Sequence, residues 1–382
     1  MLTYLVNRFG KVVEADLSIT ERKKRLKSGL YRLASSEERR NFLHYQDEMA
    51  DEELKRLGLM DVHLVSTIGN TDGYGMSGKS IKDYAINHGV YLNRKYRGQK
   101  VALVYHLPNA QTLTKSPIKI QYTMFETEKV PDFWKPYLKA ADRLLTPCEF
   151  CTDVFTSESG RKAETVQLGY EPAFFEHIER KRTPEHVFTF YHYDAFKYRK
   201  GWDLIFTAFN EEFSADEPVQ LVYKTTLYHT PPLFMYPKIK VIKGRVSGDE
   251  FMGLLEQADC FVFPSRGEGF GLTPLEAMAT GLPAIIPNTM GMREYFNPEF
   301  NYGLDVVETK AIYDNVEFKG LDLGHYQTPT VESLKKAMRQ AYNDYKAGKF
   351  SLEYSRKIAA YAQQFTIEKT AEKICAILKE YA

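Results

Sequence analysis

The sequence predicts an α/β protein built from two tandem domains, each a parallel sheet flanked by helices, preceded by a charged helical extension. Three observations carry this. The chain has 382 residues, 43% of them hydrophobic, enough for two cores rather than one. From residue 60 onward, short β-rich runs alternate with helical stretches, the pattern of parallel strands joined by crossover helices. The alternation breaks once, at the charged, proline-bearing stretch EHIERKRTPEH (176–186), and then resumes.

Residues 1–57 stand apart. The stretch TERKKRLKSGLYRLASSEERRNFLHYQDEMADEELKRLG is highly charged, with sparse apolar positions at helical spacing, and predicts one or two solvent-facing helices. Arg22, Lys23, Lys24, Arg25 and Lys27 form a basic cluster within it. Such runs are usually solvated faces, but this one keeps DNA among the partners to consider. The first domain is expected over 58–178, with strand candidates VHLVS, VALVY, IKIQYTMF, RLLTP and ETVQL. The second is expected over 183–360, with VFTFY, VQLVY, IKVI, CFVFP and AIIP. Residues 361–382 read as a final helix. In open parallel sheets ligands sit at the carboxyl ends of the strands, so the groove between the domains is the expected site.

Composition narrows the function. Lys plus Arg (51) and Asp plus Glu (50) nearly cancel, so no global field draws the molecule to nucleic acid or an anionic membrane. Cys148, Cys151, Cys260 and Cys375 are too few and scattered for a disulfide framework. The sequence lacks an apolar run of membrane-spanning length and its first residues lack a signal-peptide core, so a cytoplasmic location is expected. Cys148 and Cys151 form C-x-x-C, but no second pair completes a zinc site, and buried thiols at a helix start are the reading.

Residues 73–80, GYGMSGKS, fit the phosphate-cradling pattern G-x-x-x-x-G-K-[ST] after an apolar run, DVHLVST. A nucleotidase of that kind also needs an acid at another strand end to hold magnesium. The nearby run KVALVYHLPN offers none, whereas IKIQYTMFET offers Glu126. The alternatives to carry forward are therefore a P-loop NTPase and a noncatalytic nucleotide-sugar or nucleic-acid binder.

The strongest local signal is PSRGEGFGLTPLEAMATGLPAIIP (264–287). Gly267, Gly269 and Gly271 let a backbone approach a ligand closely. Thr273 can cap a helix with Pro274 at its first position and Glu276 at its third, and Gly281 can close it. A glycine loop running into a helix start is a ready anion site. Glu276 reads either as a capping partner or as a ligand group. Glu268 lies where no helix needs it, and a carboxylate facing a groove can accept hydrogen bonds from vicinal sugar hydroxyls.

Residues 241–296 resemble the donor-binding half of retaining glycosyltransferases of the GT-B fold, family 4, and EGFGLTPLE resembles their motif of two glutamates separated by seven residues. Weaker similarity extends over about 60–382. The resemblance implies two facing Rossmann-like domains and a nucleotide-diphospho-sugar donor. It implies that Glu276 holds the ribose, Glu268 approaches the donor sugar, and Gly269, Phe270, Gly271 and the amides of Leu272 and Thr273 line the diphosphate. Arg245 and Val246 in GRVS would lie at the base. Breaking a bond to a departing diphosphate calls for positioned cations. Lys224 after VQLVY and the pair Arg199 and Lys200 resemble the family's basic residues. The family's usual phosphate arginine falls at Ala195 here, so Arg199 or Lys197 must substitute. His106 matches a histidine that contacts the donor sugar, Glu126 would orient the acceptor hydroxyl, and Gly73 and Gly75 would let the chain pass close to donor or acceptor. No metal or cofactor is expected. The acceptor is left open among glycans, lipids, small molecules, proteins and hydroxymethylated phage DNA.

Overall fold

The computed structural model describes residues 2–7, 12–16, 31–33, 51–68, 73–226, 238–313 and 316–382. Three antiparallel strands come first, β1 (Leu2–Asn7), β2 (Val12–Asp16) and β3 (Tyr31–Leu33), with β1 in the middle. Residues 1–57 are expected to be mostly helical; the described ones form these strands and one helix, and the rest of that stretch lies outside the described residues. LTYLVN and VVEAD are rich in Val, Thr and Tyr and flank a stretch containing Gly10, which is a hairpin signature that the charge density downstream obscured. Of the expected helices the described residues hold α1 (Asp51–Arg56). The basic cluster at 22–27 lies outside the described residues.

The first large sheet contains β4 (Met60–Val65), β5 (Val90–Asn93), β6 (Val101–Tyr105), β7 (Ile118–Tyr122), β8 (Arg143–Thr146) and β9 (Glu164–Thr165). All pairs are parallel, in the order β5-β4-β6-β7-β8-β9. Three helices interleave: α2 (Gly73–Ala85), α3 (Lys135–Ala140) and α4 (Glu149–Ser159). The central strands are buried on both faces, as a sheet covered by helices requires.

The second sheet contains β10 (Phe188–Tyr193), β11 (Val219–Thr225), β12 (Ile239–Lys243), β13 (Cys260–Val262), β14 (Ala284–Pro287) and β15 (Asn301–Leu304). It too is wholly parallel, in the Rossmann order β12-β11-β10-β13-β14-β15. Its helices are α5 (Trp202–Glu212), α6 (Gly248–Gln257) and α7 (Leu272–Ala279). A hairpin, β16 (Val306–Lys310) and β17 (His325–Pro329), leaves the end of β15. Helices α8 (Val331–Lys346), α9 (Leu352–Ala362) and α10 (Ile367–Lys379) follow. Strand order reverses between β4 and β6 in one sheet and between β10 and β13 in the other, so each has a crevice at that point.

The two sheets are tied together in three places. An apolar cluster runs from Phe125 and Trp134 through Phe270 and Tyr295 to Phe318. The Cys148 and Cys151 thiols both donate to the Gly269 carbonyl, at 3.0 and 3.3 Å, which accounts for that pair as buried contacts at the start of α4. Helix α10 returns to pack on α2, with the Arg143 guanidinium 2.6 Å from Glu380 beyond its end. Among the described residues no helix is long and apolar enough to cross a membrane.

The nucleotidase reading of GYGMSGKS fails here. Residues 73–85 are helical from the first glycine, so Gly73–Gly78 form helical turns and not the loop that the pattern places ahead of a helix. Lys79 sits in the second turn and pairs with Asp83 at 2.9 Å on the surface. Gly78 is needed for packing: a Cβ there would lie 2.5 Å from Ser66 Oγ and 3.2 Å from the Tyr105 ring.

Candidate functional site

The crevice between β10 and β13 collects the chemistry. After β13 the loop Pro264–Phe270 is buried throughout, and Gly271, with φ of 85°, turns it into α7. A side chain at Gly267 would strike the carbonyl of Glu126 in the first domain, and one at Gly269 would lie 2.9 Å from Met124. The glycines thus let the loop touch the opposite domain.

After β10 the chain passes through Asp194 to a short 3-10 turn, Tyr198–Lys200, that delivers two cations to the same loop. Glu268 Oε1 accepts from Arg199 at 2.9 Å, Lys200 at 2.8 Å and Ser265 Oγ at 2.6 Å. Lys200 also reaches Asp194 at 2.8 Å, and Arg199 reaches Glu126 of the first domain at 3.1 Å. Burial alone would push the Glu268 carboxyl up, but Lys200 and Arg199 outweigh it and hold it below the usual range. Burial likewise opposes the charge on Lys200 and Arg199, and the surrounding carboxylates more than restore it. Lys200 is therefore a largely buried member of the group, while Lys197 is exposed.

Glu276 lies one turn into α7. The helix has no side-chain cap, so the capping-box alternative with Thr273 is not realised. The Glu276 carboxyl instead accepts a 2.5 Å hydrogen bond from Tyr193 at the end of β10. Burial, assisted by the charge of Asp194 and opposed by that bond, pushes its pKa up to about 7. Leu272 and Thr273 are half-buried at the helix start, and the Thr273 hydroxyl is buried with no hydrogen-bond partner among the described residues.

Lys224, at the end of β11, is buried and gives its ammonium protons to the carbonyls of Gly244 at 2.6 Å and Thr225 at 3.1 Å. Burial lowers its pKa. It braces the loop that carries Arg245, exposed, and Val246, half-buried, just before the Ser247 capping box of α6. The structure thus places Lys224 with the loop at 244–247, one strand away from the Arg199 and Lys200 cluster.

Across the groove, His106 follows β6. Its Nδ1 accepts the Leu107 amide at 2.7 Å, so the ring proton resides on Nε2, and the ring stacks on Tyr74 at 6.1 Å. Gly73 is the first residue of α2 and Gly75 is buried within it. Tyr74, between them, bonds the backbone amide of Met124 at 3.0 Å, so this helix start supports the loop after β7 that meets Gly267 and Gly269. Glu126 lies on that loop. Sequence reasoning missed Tyr193, Asp194, Ser265 and Tyr313, whose hydroxyl is 3.4 Å from Glu126 Oε2. Asp194 alone had a usable signal, its place immediately after an apolar strand. A hollow of about 510 Å³ lies at the outer edge near Glu212, Tyr302 and Arg339 and includes none of these residues.

Two wholly parallel, Rossmann-like sheets facing across this crevice define a GT-B protein. Residues 238–317 match the family model described as glycosyl transferases group 1. An uncharacterised glycosyltransferase of Methanocaldococcus jannaschii is 41% identical over 61 residues, which is 16% of this chain and 16% of that protein. The chain spans 16% and 11% of the length of the first curated relatives it matches. Among solved structures, sucrose-phosphate synthase from Thermosynechococcus elongatus superposes with a TM-score of 0.64 at 12% identity, over 84% of this chain and 99% of that one. Anabaena HepE in complex with UDP-glucose gives 0.55 at 12% identity, over 85% and 100%. These likenesses show the fold.

Proposed function

We propose that this chain is a retaining glycosyltransferase that moves a sugar from a nucleotide-diphospho-sugar to an acceptor hydroxyl without a metal ion. One observation carries the reading: Glu268, Arg199, Lys200 and Glu276 converge at the strand-order reversal of the second sheet, on a glycine loop that opens a helix. The match of residues 238–317 to the group 1 model and the UDP-glucose complex of a protein of like fold support it.

In this reading Glu276 accepts the ribose hydroxyls, and the amides of Leu272 and Thr273 face the diphosphate with the helix dipole behind them. Arg199 and Lys200 neutralise charge as it builds on the leaving oxygen, which is the largest stabilisation available to such a step. Lys224 fixes the loop of Arg245 and Val246 beside the base. Glu268 and the Nε2–H of His106 hold the donor sugar, and Glu126 receives the acceptor hydroxyl. The acceptor attacks on the face the diphosphate leaves, and a departing phosphate oxygen takes its proton, so the configuration is retained. Soluble residence in the cytoplasm, and an acceptor among glycans, lipids, small molecules or modified DNA, complete the proposal.

The test is a comparison of ligands by melting temperature. UDP-glucose or GDP-mannose should raise it, by mass action on the folded state, more than ATP with magnesium does. Lys200→Ala should lower turnover, and Lys224→Ala and Glu276→Ala should weaken donor binding. Stabilisation by ATP alone, abolished by Lys79→Ala, would return the nucleotidase.

A further inference from the structure

Three carboxylates surround two cations in the crevice. Glu268 and Asp194 belong to the second domain, as do Arg199 and Lys200, while Glu126 comes from the first. Any diphosphate that enters must compete with a carboxylate already seated on these cations. Geometry decides which one yields. Glu268 is buried, with three bonds of 2.6 to 2.9 Å on a single oxygen. Asp194 is only 12% exposed, at 2.8 Å from Lys200 and on the same short segment. Glu126 is 26% exposed, makes the longest of the contacts at 3.1 Å, and sits on the other side of a domain boundary. The more a pair is open to solvent and the fewer bonds it makes, the less it contributes.

We propose that Glu126 occupies, in the donor-free protein, the arm of the Arg199 guanidinium that the donor diphosphate takes, so that donor binding exchanges carboxylate for phosphate and frees Glu126 to receive the acceptor. The inference rests on the donor site proposed above and adds an order to it: donor first, acceptor second. The second Arg199 arm stays on Glu268, so the guanidinium keeps its place during the exchange. Glu126 keeps its place as well. Its Oε2 is 3.4 Å from the Tyr313 hydroxyl, and the Tyr313 ring lies flat on Phe125 at 5.5 Å and 7°. Tyr313 belongs to the hairpin between β16 and β17, which makes it a positioning residue delivered by the second domain to a group of the first.

Calorimetric titration with UDP, GDP and ADP tests this, comparing the wild type with Glu126→Gln and Glu126→Asp. The glutamine keeps the shape and removes the competing charge, so the nucleoside diphosphate should bind roughly two- to fivefold tighter, about the effect of losing one weak ion pair. The aspartate retracts the carboxylate and should fall between. A structural ion pair predicts the opposite sign. If the wild type binds a nucleoside diphosphate while Glu126→Gln binds it equally or more weakly, the exchange is overturned and the donor site stands. If the wild type binds none of the three, the donor site is lost and the exchange with it.

Discussion

Glu276 shows how a single residue links fold, proton and ligand. Its carboxyl is pushed up to about 7 because burial outweighs the Tyr193 hydrogen bond. The groups facing it are Tyr193 and Asp194 from the end of β10, with Tyr295 and Glu268 nearby. A folded pKa above the unfolded value means that the proton stabilises the donor-free fold at low pH, a contribution lost as pH rises through 7. The ionised form is the one that accepts ribose hydroxyls. Donor affinity should therefore climb between pH 6 and pH 8 and level off above, with proton release on binding near pH 7, measurable by calorimetry in buffers of different ionisation enthalpy. Tyr193→Phe removes the one bond that favours ionisation and should move this profile to higher pH; an unmoved profile would assign the titration elsewhere. At this scale the two glutamates were legible because EGFGLTPLE lies in contiguous sequence. Lys224 and Lys200 were legible as cations at strand ends, but not their partners, because which carbonyl or carboxylate each ammonium meets depends on strand order and burial.

At the scale of elements, GYGMSGKS is the instructive case. Its glycines satisfy a pattern written for loops, yet they build a helix whose close approach to β4 and β6 demands a missing side chain at Gly78. Gly78→Ala sets crowding of Ser66 and the Tyr105 ring against the roughly 1 kcal/mol that alanine gains over glycine within a helix, so the stability read from the urea midpoint should change by no more than about 1 kcal/mol with unchanged slope. Lys79→Ala, which removes a surface pair, should leave that midpoint in place. The long apolar runs gave strands where expected, since four or more buried residues between turns admit little else. The short strands β5 and β15 escaped notice because VYLN and NYGL are brief and flanked by polar residues. The antiparallel β1–β3 sheet escaped because a charged neighbourhood dominates its composition.

Across the whole molecule, the hairpin β16–β17 fastens one domain to the other. Phe318 packs against Phe125 and Trp134 at 5.5 Å each, Asp322 meets Lys129 at 3.0 Å, and His325 meets Glu128 at 2.8 Å. The ion pairs are exposed and weak, so the aromatic contact is what holds. Phe318→Ala should cost roughly 3–5 kcal/mol of stability and speed limited proteolysis within residues 306–329, whereas Asp322→Asn should change neither. None of this was legible in the sequence, because a contact between residues almost two hundred positions apart has no local pattern.

Helix α10 carries the same logic into synthesis. Cys375 lies against the Ala85 carbonyl, 290 positions earlier in the chain. A ribosome making this protein from the amino end releases α2 long before the surface that covers it exists. The first domain must therefore wait with an apolar flank bare, and its folding becomes cooperative with Ile367–Lys379 rather than with its own residues alone.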